Sequence, residues 1–221
     1  MGFGCLWFMV VTKQSLGYGS ITGNTHSSLS NLVSSSGVVA SDTTGVGTAR
    51  SYLAATSYGG DKGIFGYGIT GSNVSLTNLV NNSGVIATDT TGVGTARRIL
   101  AAASYGGDKG IFGYGYIDDW TNISNLVSNT GVVSSNVSGV GTSRAYLAAA
   151  GYGGDKAIFG YGYTGSNLSM TNLVSNTGVV GSDVSGVGTA RRVPAAASYG
   201  GDKAIFGYGF TSGVDSITNL V

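Results

Sequence analysis

Few residues in this chain have the type and spacing to do chemistry. Histidine occurs once, at His26, which leaves no partner for a His-based triad, a histidine metal cluster or most general-base schemes. Every acid is an aspartate, and the only adjacent pair is Asp118 and Asp119. On a strand these two point to opposite sides, and on a turn both face solvent, so they do not form a glycosidase dyad. "YGGDKG" and "GVGTAR" are glycine-rich but lack the Lys-Ser/Thr ending of a phosphate-binding loop; they read as tight turns. The expectation is a chain that is not an enzyme and uses no metal or cofactor.

Binding chemistry has better candidates. Arg50, Arg97, Arg144 and Arg191 stand 47 residues apart. Guanidinium groups repeated near one axis can encircle an anion or polar ligand; the competing role is to bond carbonyls of adjacent units with their fork of donors. A second candidate set is Tyr116, Asp118, Asp119 and Trp120, gathered in one loop. An aromatic platform beside carboxylates can stack on the apolar face of a sugar and accept hydrogen bonds from its hydroxyls. The pairs Asp61/Lys62, Asp108/Lys109, Asp155/Lys156 and Asp202/Lys203 recur in every turn of one kind. That regularity suits a structural task, with Asp organising the turn and Lys remaining in water. His26 reads as a solvated loop residue.

The elements that carry these residues repeat. "YGGDKGIFGYG" at 58–68 returns at 105–115 and, with one Gly replaced by Ala, at 152–162 and 199–209; "NLV" recurs from 31–33 to 219–221. The chain is therefore one domain, 1–221, built of units at 1–49, 50–96, 97–143, 144–190 and 191–221, the first divergent and the last short. In the fourth unit the pattern predicts strand A at 145–152, the turn "GGDK", strand B at 157–163, strand C at 169–175 and strand D at 178–184. On strand B, alternation puts Ala157, Phe159 and Tyr161 on one face and Ile158, Gly160 and Gly162 on the other. Large residues of one unit can then fill the space that glycines leave on the next. The fold class expected is all-β: a five-bladed β-propeller of 47-residue, four-stranded antiparallel repeats whose last blade lacks its fourth strand. A β-solenoid is the rival, but its coils usually have shorter periods and fewer hairpin turns.

"TARSYLAATSYGGDKGIFGYG" (48–68) resembles the opening of a kelch repeat: an Arg, a small-residue strand, a turn, then an aromatic strand ending in glycines. The resemblance covers strands A and B of four units, with Gly-Tyr-Gly where that family has paired glycines. In their near-identity and Gly, Ser, Thr and Asn bias, the repeats also resemble phage tail-fibre and other virion adhesion proteins. These resemblances imply a binding scaffold on a virion or extracellular surface, with a glycan or cell-surface receptor as its partner.

Composition narrows the classes further. Charged residues make up 10% of the chain against 40 glycines, there is no Glu, and 42% of residues are hydrophobic. Such a chain is folded and β-rich, since disorder needs low hydrophobicity and high charge. A net charge of +1, with the bases spread evenly, gives no footprint for nucleic acid. "CLWFMVV" at 5–11 is too short to span a membrane, no secretory signal is readable, and Cys5 has no second cysteine to pair with.

The contrast between fixed and drifting columns locates the expected binding face. The B–C loops differ in every unit, as do the residues just after the Arg column ("SYL", "RIL", "AYL", "RVP"), and a meander brings both sets to one side. A second expectation concerns the edge near Ile217–Val221. A fifth unit without strand D leaves strand C unpaired, open to a further copy or a virion partner.

Overall fold

The computed structural model describes residues 14–21 and 25–221. The apolar run at 5–11, Cys5 and the expected strand A of the first unit lie outside the described residues. Among the described residues there are fourteen strands and no helix, arranged in five small antiparallel sheets. Unit 1 contributes β1 (Gln14–Ser20) and β2 (His26–Val33). Unit 2 forms the meander β3 (Ala54–Tyr58), β4 (Lys62–Gly66), β5 (Thr77–Val80), and unit 3 forms β6 (Ala101–Tyr105), β7 (Lys109–Tyr116), β8 (Trp120–Val127). Units 4 and 5 repeat the pattern as β9 (Ala148–Tyr152), β10 (Lys156–Tyr163), β11 (Asn167–Val174) and β12 (Ala195–Tyr199), β13 (Lys203–Phe210), β14 (Val214–Leu220).

From unit 2 to unit 5 the first strand of one unit packs on the first strand of the next, β3 on β6, β6 on β9 and β9 on β12. Alanine dominates these strands because the sheets approach closely there: Ala54, Ala101, Ala102 and Ala103 are all buried. The knob and socket expected from the sequence are present. A Cβ added to Gly113 would come 2.6 Å from Phe159 Cζ, and Gly66 and Gly160 receive Phe112 and Phe206 in the same way. Only the absence of a side chain on one sheet makes room for the ring of the next.

Two expectations change in the structure. Tyr161 does not share a face with Phe159. It takes a left-handed φ of 64° at a bulge between Gly160 and Gly162, which turns its ring toward the next unit, beside Ile158 and Phe206. Period-two alternation fails wherever an extra residue is inserted into a strand. The equivalent tyrosines Tyr18, Tyr67, Tyr114 and Tyr208 share this conformation. Strand D is likewise not a regular strand. In unit 4 it touches β11 through two bridges, Val174 with Val180 and Thr171 with Val184. These are three residues apart on β11 but four apart on the returning segment, so no continuous ladder forms. The Asn172 side chain bridges the irregular stretch by donating to Gly181 O and Asp183 Oδ1, each at 3.0 Å.

Candidate functional site

Each candidate arginine of the repeated column lies inside the protein. Arg50, Arg97, Arg144 and Arg191 are 0% exposed. Arg144 donates from Nε to Tyr161 O at 2.9 Å and from Nη1 to Thr142 O at 3.1 Å, while its guanidinium lies 4.2 Å from the ring of Tyr114 in the preceding unit. Arg50 lies on Tyr18, Arg97 on Tyr67 and Arg191 on Tyr161 in the same way. In unit 2 Nη2 donates to Asn78 Oδ1 at 2.6 Å. In units 3 to 5 the matching Nη2 atoms and the Oδ1 atoms of Asn125, Asn172 and Asn219 are buried, and none has a hydrogen-bond partner among the described residues. Burial holds the pKa of Arg50, Arg97 and Arg144 below the ordinary value. These side chains bind the units to one another, and a ligand could reach them only by prising neighbouring sheets apart.

A second inter-unit clasp lies two residues before this column. Thr142 donates from N and Oγ1 to the carboxylate of Asp183, 41 residues later, and Thr48 does so to Asp89. Burial works to raise the pKa of Asp183, but the hydrogen bonds from Thr142 and Asn172 outweigh it, and the value lies below the ordinary 3.8. A folded-state pKa below the unfolded one means stability that is present above 3.8 and lost as pH falls through the folded value. Asn136 occupies the same column and bonds Thr95 Oγ1 at 2.7 Å, so an amide is tolerated there. Asp183→Asn is therefore expected to leave the thermal midpoint at pH 7 nearly unchanged and to flatten its decline under acid. A midpoint series from pH 7 to pH 2 checks this; an unaltered acid decline counts against the clasp.

The Asp-Lys turns lie at the far end of the first strands. Lys62, Lys109 and Lys203 each pair with the preceding Asp, at 3.1, 2.7 and 2.7 Å. Gly59, Gly106 and Gly153 donate backbone hydrogen bonds to Asp108, Asp155 and Asp202 of the following units. This end is regular from unit to unit and has no distinctive chemistry.

The opposite end carries the variable residues. Arg98 N and Tyr116 O pair at 3.0 Å, joining the segment after the Arg column to the start of the B–C loop. Two residues after each column arginine stand Tyr52, Ile99, Tyr146 and Val193, with φ of 55, 57, 57 and 54°. A left-handed conformation is costly for β-branched Ile and Val, on the order of 1–3 kcal/mol. It is held by a ladder through the units: Ile99 N to Tyr52 O at 2.9 Å, Tyr146 N to Ile99 O at 3.3 Å, Val193 N to Tyr146 O at 2.7 Å.

On this rigid base the residues first named from the sequence meet others that it did not single out. Tyr116 and Trp120 are cross-strand partners, with ring centroids 5.0 Å apart. Trp120 also meets Tyr163 of unit 4 edge-on at 5.6 Å, and Tyr163 meets Tyr146 at 6.5 Å. All four rings are half-buried, and Asp118 and Asp119 are exposed at the loop tip. Asp119 Oδ1 accepts the backbone N–H of Trp120, while among the described residues the Asp118 side chain has no hydrogen-bond partner.

Register explains why Trp120 stands here. His26, Asn73, Trp120, Asn167 and Val214 occupy one column at the start of the third strand. Asn73 Oδ1 accepts from Arg98 Nη1 at 2.8 Å, and Asn167 Oδ1 from Arg192 Nη1 at 3.3 Å. At the junction between them the pair is Trp120 and Ala145, the latter 0% exposed. A large ring beside a small residue replaces an amide beside a guanidinium. His26 is half-buried, and its Nδ1 is enclosed without a partner among the described residues. Tyr146, Tyr163, Arg98, Arg192, Asn73 and Asn167 lie in the segments that the sequence marks as variable, but it did not single them out. Their signal was present, because Arg, Ala and Arg follow one column while Asn, Trp and Asn follow another in step.

Among the described residues no three His, Cys, Asp or Glu side chains gather closely enough to hold a metal ion. The chain matches no protein-family model, and no curated protein is significantly similar to it.

Proposed function

We propose that the five sheets are the five blades of a propeller, kelch-like in layout and open between the fifth sheet and the first among the described residues, and that the chain is a non-enzymatic binding module for a surface glycan or receptor, working in a virus particle or adhesin. The successive packing of antiparallel sheets through their Ala-rich first strands favours blades. The observation that carries the binding role is the half-buried ring series Tyr116, Trp120, Tyr163 and Tyr146 beside exposed Asp118 and Asp119. Rigid aromatic surface with a few polar groups at its rim suits a sugar ring, which has an apolar face and hydroxyls at its edge. Arg50, Arg97, Arg144 and Arg191 serve this reading as the bolts that hold the blades in register.

A glycan array probed with the purified chain tests it. Saturable binding to a defined glycan is expected, with Trp120→Ala weakening it by roughly thirty-fold or more, about 2 kcal/mol. Trp120→Ala is also expected to remain folded, because its ring is only half-buried. No binding across the array, or binding indifferent to Trp120, removes the reading.

A second reading is structural: the chain is an assembly platform that docks a partner through its fifth sheet. The outward face of that sheet favours it. Tyr208 is 62% exposed and Val214 91% exposed, and among the described residues no aromatic ring occupies the socket at Gly207. Disrupting this face with Tyr208→Asp and Leu220→Asp separates the two readings, since it abolishes docking and leaves glycan binding intact.

A further inference from the structure

We infer that the ligand of the variable face is an acidic glycan, and that Arg98 and Arg192 bind its carboxylates; the inference rests on the glycan reading above. The cations of the chain fall into distinct classes. The column arginines are enclosed, Lys62, Lys109 and Lys203 pair with aspartates at the opposite end, and Lys156 stands at that same end, exposed and without an ion pair among the described residues. Arg98 and Arg192 differ from both. They are half-buried on the variable face, and among the described residues neither has a carboxylate within ion-pair distance.

Both guanidinium groups are nevertheless held in place. Arg98 lies 4.9 Å from the Tyr116 ring and donates to Asn73 of the preceding unit. Arg192 lies 4.9 Å from Tyr163 and 4.4 Å from Phe210, and donates to Asn167. An amide fixes the orientation of a guanidinium without neutralising it, so the full charge remains for a ligand. Each fork has five N–H donors, of which the amide takes one, and the planar edge matches a carboxylate with two parallel hydrogen bonds. Partial burial strengthens that attraction relative to a fully solvated pair.

The placement suggests how such a ligand lies. The two arginines are equivalent sites two units apart, and Trp120, Tyr163 and Tyr146 stand between them. Acidic sugars at the two ends would flank a sugar stacked on the central rings. The sites differ in strength. Asp118 and Asp119 lie in the loop beside Arg98, whereas the loop that follows Phe210 is Thr211-Ser212-Gly213, without an acid. Arg192 is therefore the tighter carboxylate site.

The test compares probes that differ only in the carboxylate, with the full chain in titration calorimetry: polygalacturonate against its methyl ester, and a sialylated glycan against its desialylated form. The expected result is at least tenfold tighter binding of the acidic member of one pair, weakening as salt rises. Arg192→Met is expected to remove most of that preference, and Arg192→Lys, which keeps charge but loses the fork, some of it. Thermal midpoints of both variants guard against unfolding, and Asp118→Asn with Asp119→Asn is expected to tighten the acidic probe. Equal binding of both members of each pair, dependent on Trp120, overturns this inference and leaves the glycan reading standing. An acidic preference that survives in the Arg98→Met/Arg192→Met double variant also overturns it. Silence with all four probes and across the array overturns both.

Discussion

Truncating Phe159 to alanine is expected to destabilise the protein by about 3–5 kcal/mol, the range for removing a fully buried aromatic side chain. Phe159 is 0% exposed and fills the socket at Gly113, with the Tyr114 ring edge-on at 5.1 Å. Both sides of that interface are covered by further units, so the cavity has little freedom to collapse. Phe206, at 1% exposure in the socket of Gly160, provides the internal comparison. Its sheet has an exposed outward face and can shift to close the gap, so Phe206→Ala is expected to cost measurably less. Urea unfolding of the two variants checks the order. A cost below about 1 kcal/mol for Phe159→Ala would mean that the sheets are not held together by these rings.

The second large effect is expected at Arg144. Replacement by methionine keeps much of the apolar stem but removes the donors to Tyr161 O and Thr142 O and the charge over Tyr114. Leaving the buried Tyr161 carbonyl without a partner costs about 1–3 kcal/mol, the part-buried Thr142 carbonyl less, and a desolvated cation–π contact adds about 2 kcal/mol. Relief from burying a charge offsets some of this, which leaves an expected net loss of about 2–4 kcal/mol. Arg144→Lys is expected to be nearly as harmful, because an ammonium cannot donate in the same two directions at once. Neither variant should alter ligand affinity in the fraction that stays folded. Selective loss of binding with unchanged stability would return the arginine column to the ligand.

The two predictions share a cause that bears on function. Rings and guanidinium groups that recur through units 2 to 5 fix the distance and rotation between sheets, and the ladder from Tyr52 to Val193 fixes the backbone at the variable end. Residues on that end can then change without disturbing the frame. Trp120 beside Ala145 and Asn73 beside Arg98 are two solutions to one geometric position, one offering an aromatic surface and the other a cation.

What the sequence by itself determined is what depends on local pattern and on period. The 47-residue repeat, the strands either side of the Gly-Gly-Asp-Lys turn, the all-β class and the match of Phe to Gly between units were all legible in it. Turn chemistry and alternation act between near neighbours, and a strict period transfers the result from unit to unit. Tertiary structure alone decided three matters. It enclosed the arginines, because Arg97 meets Tyr67 of the preceding unit, and no spacing within one unit reveals that contact. It turned Tyr161 to the opposite face, because a bulge breaks the alternation from which facing is read. It also drew Tyr116 and Trp120 into one surface with Tyr146, Tyr163, Arg98 and Arg192. That surface exists only where neighbouring units meet, and the relation of one sheet to the next is a property of packing that no single strand encodes.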